Sequence, residues 1–243
     1  EKFAHEVKIA PFSIARAPVT NGEFAEFVLA GGYAEEKYWC EAGRQWRESH
    51  EAFHPRYWSK DTQNQWCTRH FDKVIRLSEH EPVIHVNWYE ANAYCCWAGL
   101  RLPTEQEWEV AALGELNADG SLSNNKRKYP WGDTSPTSKY ANLDAHSLGC
   151  VEVSALPDGD SAFGCRQMLG NVWEWTADTF EPYPGFEPDS YKEYSIDLFG
   201  KSKVLKGGAW PTRSRMVNGT YRNYFAPHRN NVFSGFRTCR SPA

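Results

Sequence analysis

Leu169-Gly170-Asn171-Val172-Trp173-Glu174-Trp175 is the stretch that decides the fold. A Gly-Asn pair, a strong turn signal, stands directly before two tryptophans that flank one glutamate. Both indoles favour burial, and a buried indole needs an acceptor for its N–H. If Glu174 is carried inside with them, it must be paired or bound to a cation. The stretch reads as a rigid, aromatic turn at the structural centre, with Trp173 buried. The plainer alternative is a buried tryptophan cluster with Glu174 at the surface.

The surrounding chain of 243 residues is long enough for one large core, or at most two small ones. Apolar residues make up 41%, charged residues 24% and aromatic residues 15%, a globular composition with a heavy aromatic load. With a net charge of −4 and no Lys/Arg run, nucleic acid is not an expected partner. No apolar run reaches membrane-spanning length, and the first residues do not read as a signal segment. The seven cysteines are odd in number and fit no CxxC motif, so they read as small hydrophobes of a reduced, cytoplasmic protein. Asn218-Gly219-Thr220 matches a glycosylation sequon but is more simply a turn. The chain opens at Glu1 inside an apparent first strand, so further sequence is expected upstream.

His5 to Ile14 alternates loosely and predicts a strand. Thr20 and Glu23 have capping-box spacing, with Phe24, Phe27 and Val28 as the apolar helix face and Gly31-Gly32 as its end. Residues 33–80 read as loop-rich, their Tyr38, Trp39, Trp46, Tyr57, Trp58 and Trp66 forming an outer aromatic layer. Asn87 and Glu90, then Thr104 and Glu107, repeat the capping spacing. The first pair opens a helix burying Ala91, Tyr94, Cys95 and Ala98 and ending at Gly99. The second opens one burying Trp108, Ala111 and Ala112 before Gly114. Residues 115–165 hold turn formers and few periodic segments. Short strands are predicted from Ser202 to Lys206, Thr220 to Tyr224 and Phe233 to Cys239. Helices first and strands last give an α+β domain spanning residues 1–243, without internal repeat or linker.

Several motifs extend this reading to a family. Gly170-Asn171-Val172-Trp173-Glu174-Trp175, Leu205-Lys206-Gly207-Gly208-Ala209-Trp210 and Ser234-Gly235-Phe236-Arg237 follow one another in that order. Upstream stand Pro18-Val19-Thr20-Asn21, Pro82-Val83-Ile84-His85-Val86-Asn87-Trp88, Arg101-Leu102-Pro103-Thr104-Glu105 and Tyr129-Pro130-Trp131-Gly132. Together they resemble the formylglycine-generating-enzyme/sulfatase-modifying-factor family, which implies a variant C-type-lectin-like fold. That superfamily includes oxidases, sulfoxide synthases and binding modules, so the fold alone assigns no function.

Formylglycine generation in this family needs a cysteine pair just after the Gly-Gly to bind copper, a soft ion that requires thiolates. The stretch after Gly208 contains none, and the later Cys239 lies beyond the final Gly-Phe-Arg. Pro184-Gly185-Phe186, Tyr191-Lys192-Glu193-Tyr194-Ser195, Phe199-Gly200 and Arg222-Asn223-Tyr224-Phe225-Ala226-Pro227-His228-Arg229 instead resemble the C-terminal domain of ergothioneine-type sulfoxide synthases and their ovothiol and selenoneine relatives. The resemblance implies a separate N-terminal helical-bundle domain that supplies three histidines to Fe(II), absent from this chain. It also implies O₂-dependent joining of a thiol or selenol donor to C2 of a histidine-derived imidazole. A catalytic tyrosine matches Tyr191, with Tyr194, Asn223, Tyr224, Phe225 and Arg229 as substrate-binding candidates.

The residue types suit those roles. Arg229 offers a bidentate fork for a carboxylate, and Asn223 can donate to and accept from an amino acid or imidazole. Tyr191 can pass a proton. The plainer reading makes the tyrosines packing residues and Arg229 a surface ion-pair partner. Phe225 stands where some relatives carry an acid for a glutamyl amine, which points to a smaller donor such as free cysteine. Asn223, Arg229 and Tyr191 are expected to converge on one concave aromatic face. Relatives of this fold often hold calcium at the Gly-Asn turn, which makes Gln167, Glu174 and the carbonyls of Gly170 and Val172 candidate Ca²⁺ ligands.

His50-Glu51-Ala52-Phe53-His54 has the form of a zinc-protease HExxH, which needs both histidines on one helical face. Pro55 disfavours that geometry, and Arg56 stands where a His-x3-His-x-Glu iron motif has its glutamate. The chain alone is therefore expected to bind no stoichiometric iron. The second functional reading is a non-catalytic lectin-like binding module, and the third, formylglycine generation, lacks its cysteines.

Overall fold

The computed structural model describes residues 4–241, with the side chain of Tyr194 left outside. Helices fall mainly in the first half and the principal sheet in the second, an α+β arrangement. All three capping boxes form. Thr20 caps α1 (Asn21–Leu29), Asn87 caps α3 (Trp88–Ala98) and Thr104 caps α4 (Glu105–Leu113). In each, the cap side chain accepts the backbone N–H three residues on, and the glutamate there accepts the cap's own N–H. Gly99 closes α3 in the left-handed conformation that glycine adopts without strain.

The 33–80 segment is more regular than expected. It contains α2 (Glu41–Ser49) and an antiparallel sheet of β2 (Trp58–Lys60), β3 (Trp66–His70) and β4 (Lys73–Arg76). The apolar side chains of α2 are few, which hid its period, but Trp46 is buried. Conversely, the expected strand from His5 to Ile14 shrinks to β1 (Ser13–Ile14), paired with β11 (Cys239–Arg240). The hairpin β5 (Gly114–Leu116) and β6 (Leu122–Lys126) follows α4 directly.

The Gly-Asn-Val-Trp-Glu-Trp stretch turns and then becomes the central strand β7 (Trp173–Thr179). It lies in a sheet of order β10–β7–β8–β9, with β8 at Lys203–Lys206, β9 at Asn223–Phe225 and β10 at Ser234–Gly235. The β10–β7 pair is parallel and the others antiparallel. Strand alternation divides the sheet into two faces. Trp175 and Leu205 pack toward α1 and α3, among Phe24, Phe27, Tyr94 and Phe236. Glu174 points the other way, toward α4. Trp175 is fully buried and its indole donates to the Val86 carbonyl at 2.9 Å, whereas Trp173, expected inside, is only half-buried.

Glu174 is paired inside the protein. Arg237, also fully buried, donates Nε and Nη2 to the two carboxylate oxygens at 2.6 and 2.7 Å. Its remaining N–H groups reach the carbonyls of Ala15, Arg16 and Arg166 at 3.0–3.1 Å. All five donors of the guanidinium are satisfied. The Trp108 indole adds a further hydrogen bond to Glu174 at 2.8 Å. Before this strand, Gly170 has φ 83°, and an added Cβ would stand 2.6 Å from the Asn142 carbonyl oxygen. Only glycine fits there. Asn171, itself left-handed at φ 65°, is locked by Asn142, Val151 and Gln167 through its side-chain amide.

Among the described residues no helix is long and apolar enough to cross a membrane. Trp175→Ala is expected to cost about 3–5 kcal/mol, as truncation of a buried large aromatic does, and half-buried Trp173→Ala distinctly less. Urea denaturation of both variants checks this; equal costs would contradict the difference in burial between the two indoles.

Candidate functional site

β9 is an edge strand of the central sheet, and its two faces serve different surroundings. Tyr224 lies opposite Val204, while Asn223 and Phe225 lie opposite Leu205 and Lys203. Tyr224 therefore faces away from α3, and Asn223 and Phe225 face toward it.

On the Tyr224 side, a cavity of about 470 Å³ opens between β9 and the long 181–200 segment. Its walls include Phe180, Tyr183, Phe186, Tyr191, Phe199 and Tyr221, with the carboxylates of Glu187 and Asp189 at the rim segment. Tyr224 stacks on Phe180 with centroids 4.1 Å apart. Tyr191, 67% exposed, precedes a short 3₁₀ turn (Lys192–Tyr194) and lines the same cavity. Tyr194 shares that turn, but its side chain lies outside the described residues.

Arg222 builds the cavity floor and had no role assigned from sequence. Its guanidinium is 4.8 Å from the Phe180 ring centroid and 4.1 Å from that of Tyr183. It donates to the Glu181 carbonyl at 3.0 Å and forms a bidentate pair with buried Glu105 at 2.7 and 3.0 Å. Burial pushes the Glu105 carboxyl up, against the opposing pull of Arg222. One arginine thus ties the start of the 181–200 segment to the first turn of α4. The spacing of a cation from aromatic partners far along the chain leaves no signal in the sequence itself.

Asn223, Phe225 and Arg229 occupy the other face. Phe225, like Trp88 and Trp173, packs against the α1–α3 core. After Pro227 the chain turns, with the Arg229 N–H on the Ala226 carbonyl, and the guanidinium lies 5.4 Å from the Phe225 ring centroid. Arg229 Nε donates to Asn231, and Asn223 Oδ1 accepts the Tyr224 N–H. The expected convergence of Asn223, Arg229 and Tyr191 on one concave face is therefore corrected. Strand alternation puts β9 itself between Tyr191 and the other two. The same face carries Lys203, whose ammonium sits 4.2 Å from the Trp88 ring centroid and bonds to the Ala177 carbonyl.

The proposed calcium ligands are also placed differently from what such a site requires. Both Glu174 oxygens are bound by Arg237. Gln167 Oε1 accepts the Asn171 amide at 2.6 Å, and its Nε2 donates to the Glu152 and Ala155 carbonyls. The Gly170 carbonyl accepts the Val172 N–H at 2.8 Å. An asparagine network and a guanidinium do the work that a cation would do, so these residues do not fit one. Among the described residues no group of three His, Cys, Asp or Glu side chains is arranged to hold a metal.

The HExxH match fails as its proline indicated. α2 stops at Ser49, His50 caps it, and Glu51 is left-handed at φ 46°. His50 Nδ1 is bonded to the Trp46 carbonyl and His54 Nδ1 to that of Pro55. Cys239 is buried near Glu107, and burial pushes its thiol up to about 11, far from the thiolate that copper needs. A larger cavity, about 830 Å³ beside residues 4–9 and the β5–β6 hairpin, is lined by the carboxylates of Glu6, Glu105 and Glu109, of which Glu105 is engaged with Arg222 and Glu109 with Lys126 and Lys206.

Residues 1–242 match the family described as the sulfatase-modifying factor enzyme 1-like domain. A hercynine oxygenase of Mycobacterium tuberculosis is 43% identical over 238 residues, which cover 98% of this chain and 54% of that protein. The chain thus spans about half the length of the hercynine oxygenases it matches. A formylglycine-generating enzyme of Streptomyces coelicolor is 30% identical over 230 residues, 85% of this chain and 69% of that protein. Among solved structures, PvdO from Pseudomonas aeruginosa superposes with a TM-score of 0.60 at 22% identity, covering 96% of this chain and 81% of that one. That likeness shows the formylglycine-generating-enzyme type of C-type-lectin-like fold.

Arg222→Leu strands Glu105 in a buried site, and loss of one partner of such a pair costs about 3–5 kcal/mol. The 181–200 segment is expected to become the first site of proteolytic cleavage in this variant. An unchanged melt and an unchanged cleavage pattern would contradict the role given to Arg222.

Proposed function

The chain belongs to the sulfatase-modifying factor enzyme 1-like family, and from that premise we propose that it is the substrate-binding domain of a hercynine-oxygenase-type enzyme. In this reading residues 1–243 form one domain, completed by an N-terminal helical domain that holds Fe(II). The reaction joins a thiol or selenol donor to the imidazole C2 of a histidine derivative. In it the C2–H, the S–H and O₂ give a sulfoxide and water. The bound iron would supply O₂ activation; this chain's residues bind and orient the substrates.

The observation that carries the reading is the identity to a hercynine oxygenase along nearly the whole chain. The cavity chemistry supports it. Hercynine bears a trimethylammonium group, and a cage of Tyr183, Phe186, Tyr191, Tyr221 and Tyr224 with nearby Glu187 and Asp189 suits a quaternary cation. Tyr191 borders that cage and is assigned a proton role at the reacting imidazole. Asn223 and exposed Arg229 lie across β9 from that cage, so a donor such as free cysteine, its carboxylate held by this amide and guanidinium, has to bring its thiol round the outer edge of β9 to the imidazole. Phe225 beside them supplies no charge for a glutamyl amine. A cytoplasmic setting, where the sulfur donor and the seven cysteines stay reduced, suits this chemistry.

The test uses the protein expressed from its complete reading frame, with Fe(II), O₂, hercynine and cysteine. The sulfoxide adduct is expected by mass spectrometry. Arg229→Ala should raise KM for the donor about ten- to a hundredfold, the loss of one charge-assisted contact. Tyr191→Phe should lower turnover with little change in KM. If hercynine is neither bound nor consumed with any thiol or selenol donor, the lectin-like binding module becomes the better account.

A further inference from the structure

Five oxidisable rings run without interruption from the start of α3 into the core. Trp88 and Tyr89 have centroids 6.0 Å apart, Tyr89 and Trp46 6.3 Å, Trp46 and Trp39 6.2 Å, and Trp39 and Tyr33 5.4 Å. The two ends differ in chemistry. At the outer end Trp88 lies under the Lys203 ammonium, which disfavours a positive charge on that indole. At the inner end the buried Tyr33 hydroxyl donates to Glu90 Oε1 at 2.5 Å. Trp39, one step before it, donates its indole N–H to the Gly32 carbonyl, an acceptor too weakly basic to take a proton.

We propose that this row is a hole relay, which carries an oxidising equivalent from the Tyr89 surface to Tyr33 and holds it there as a neutral tyrosyl radical, the phenolic proton resting on Glu90. The oxidant is a strong one-electron acceptor, of the class that O₂ chemistry or a photo-oxidised ruthenium complex supplies. It takes one electron from Trp46 by way of Tyr89, which keeps its proton throughout, and the vacancy passes from Trp46 to Trp39. Trp39 as a radical cation takes one electron from Tyr33 while the O–H proton moves to Glu90 Oε1. The products are Tyr33–O•, neutral Trp39 and a neutral carboxylic acid. Tyr89 is unchanged in the balance, and Trp46 is restored by the electron that leaves Trp39.

The relay runs inward for an electrostatic reason. An oxidised phenol is a far stronger acid than a phenol, so the ring with a carboxylate against its hydroxyl is the deepest sink. Burial favours the same product, because it replaces a buried carboxylate by two neutral groups. Burial also raises Glu90 to about 7, opposed by hydrogen bonds from Tyr33 and the Asn87 backbone. Facing Glu90 are Tyr33 from the loop after α1 and Asn87 from the cap of α3, and the charged group nearest them is Arg47 of α2, on the Tyr33 carbonyl and 5.8 Å from the Trp39 ring centroid. Glu90 accepts a proton only while ionised, so Tyr33 oxidation should fail as the pH falls below about 7. Nothing in this depends on C–S chemistry.

Flash photolysis of the protein with ruthenium tris-bipyridine and an irreversible quencher, read by electron paramagnetic resonance, tests it. The expected signal is a neutral tyrosyl radical, strong at pH 8 and lost at pH 5. Tyr33→Phe should abolish it and leave a tryptophan radical. Trp39→Phe keeps Tyr33, Glu90 and the packing but breaks the row, and should also abolish it. A tyrosyl signal of parental yield in either variant, or one removed by Tyr191→Phe instead, overturns the proposal.

Discussion

The buried Arg237–Glu174 pair is the interaction on which the remaining structure depends. An ionised carboxylate taken out of water is costly unless its oxygens are matched, and so is a guanidinium. Here the match is complete, with five donors placed and Trp108 added. The pair joins four parts of the chain: the residues after β1, the Arg166 turn, the central strand and the last Gly-Phe-Arg. A fold with short strands and long connections lacks extensive ladders to fix those parts by backbone bonding alone. One saturated ionic centre does that with side chains.

From that centre the sheet carries the order outward. β7 fixes β8, β8 fixes β9, and β9 presents Tyr224 to one side and Asn223 and Phe225 to the other. The cavity beside Tyr224 then needs only the 181–200 segment to be held, and Arg222 holds it through Glu105, Phe180 and Tyr183. The two ion pairs are arranged alike. Each sets a buried arginine against a glutamate from another element, with carbonyls taking further donors.

Much of this was legible in the sequence. Capping boxes are local, so Thr20, Asn87 and Thr104 announced three helices, and the motif order announced the fold. The need for a partner to Glu174 was also legible, but its identity was not. Arg237 lies 63 positions away, and nothing local distinguishes a guanidinium from a cation there. The calcium expectation came from the resemblance to relatives of this fold, and nothing local spoke against it. α2 was missed because a nine-residue helix with only Gly43 and Trp46 buried shows almost no apolar period. The convergence of Tyr191 with Arg229 failed for a different reason. Alternation along β9 was read correctly for Asn223 and Phe225, but the side from which the 181–200 segment approaches is a tertiary fact.

The most direct measurement of the central claim is a double-mutant cycle between Glu174→Gln and Arg237→Met, followed by chemical denaturation. Each single change leaves an unmatched buried group and should cost about 3–5 kcal/mol. The double variant should be scarcely less stable than either, giving a coupling of roughly 3 kcal/mol, the upper end for contacting residues. Simple additivity of the two losses would contradict the account, because it would mean that the guanidinium and the carboxylate stabilise the fold independently.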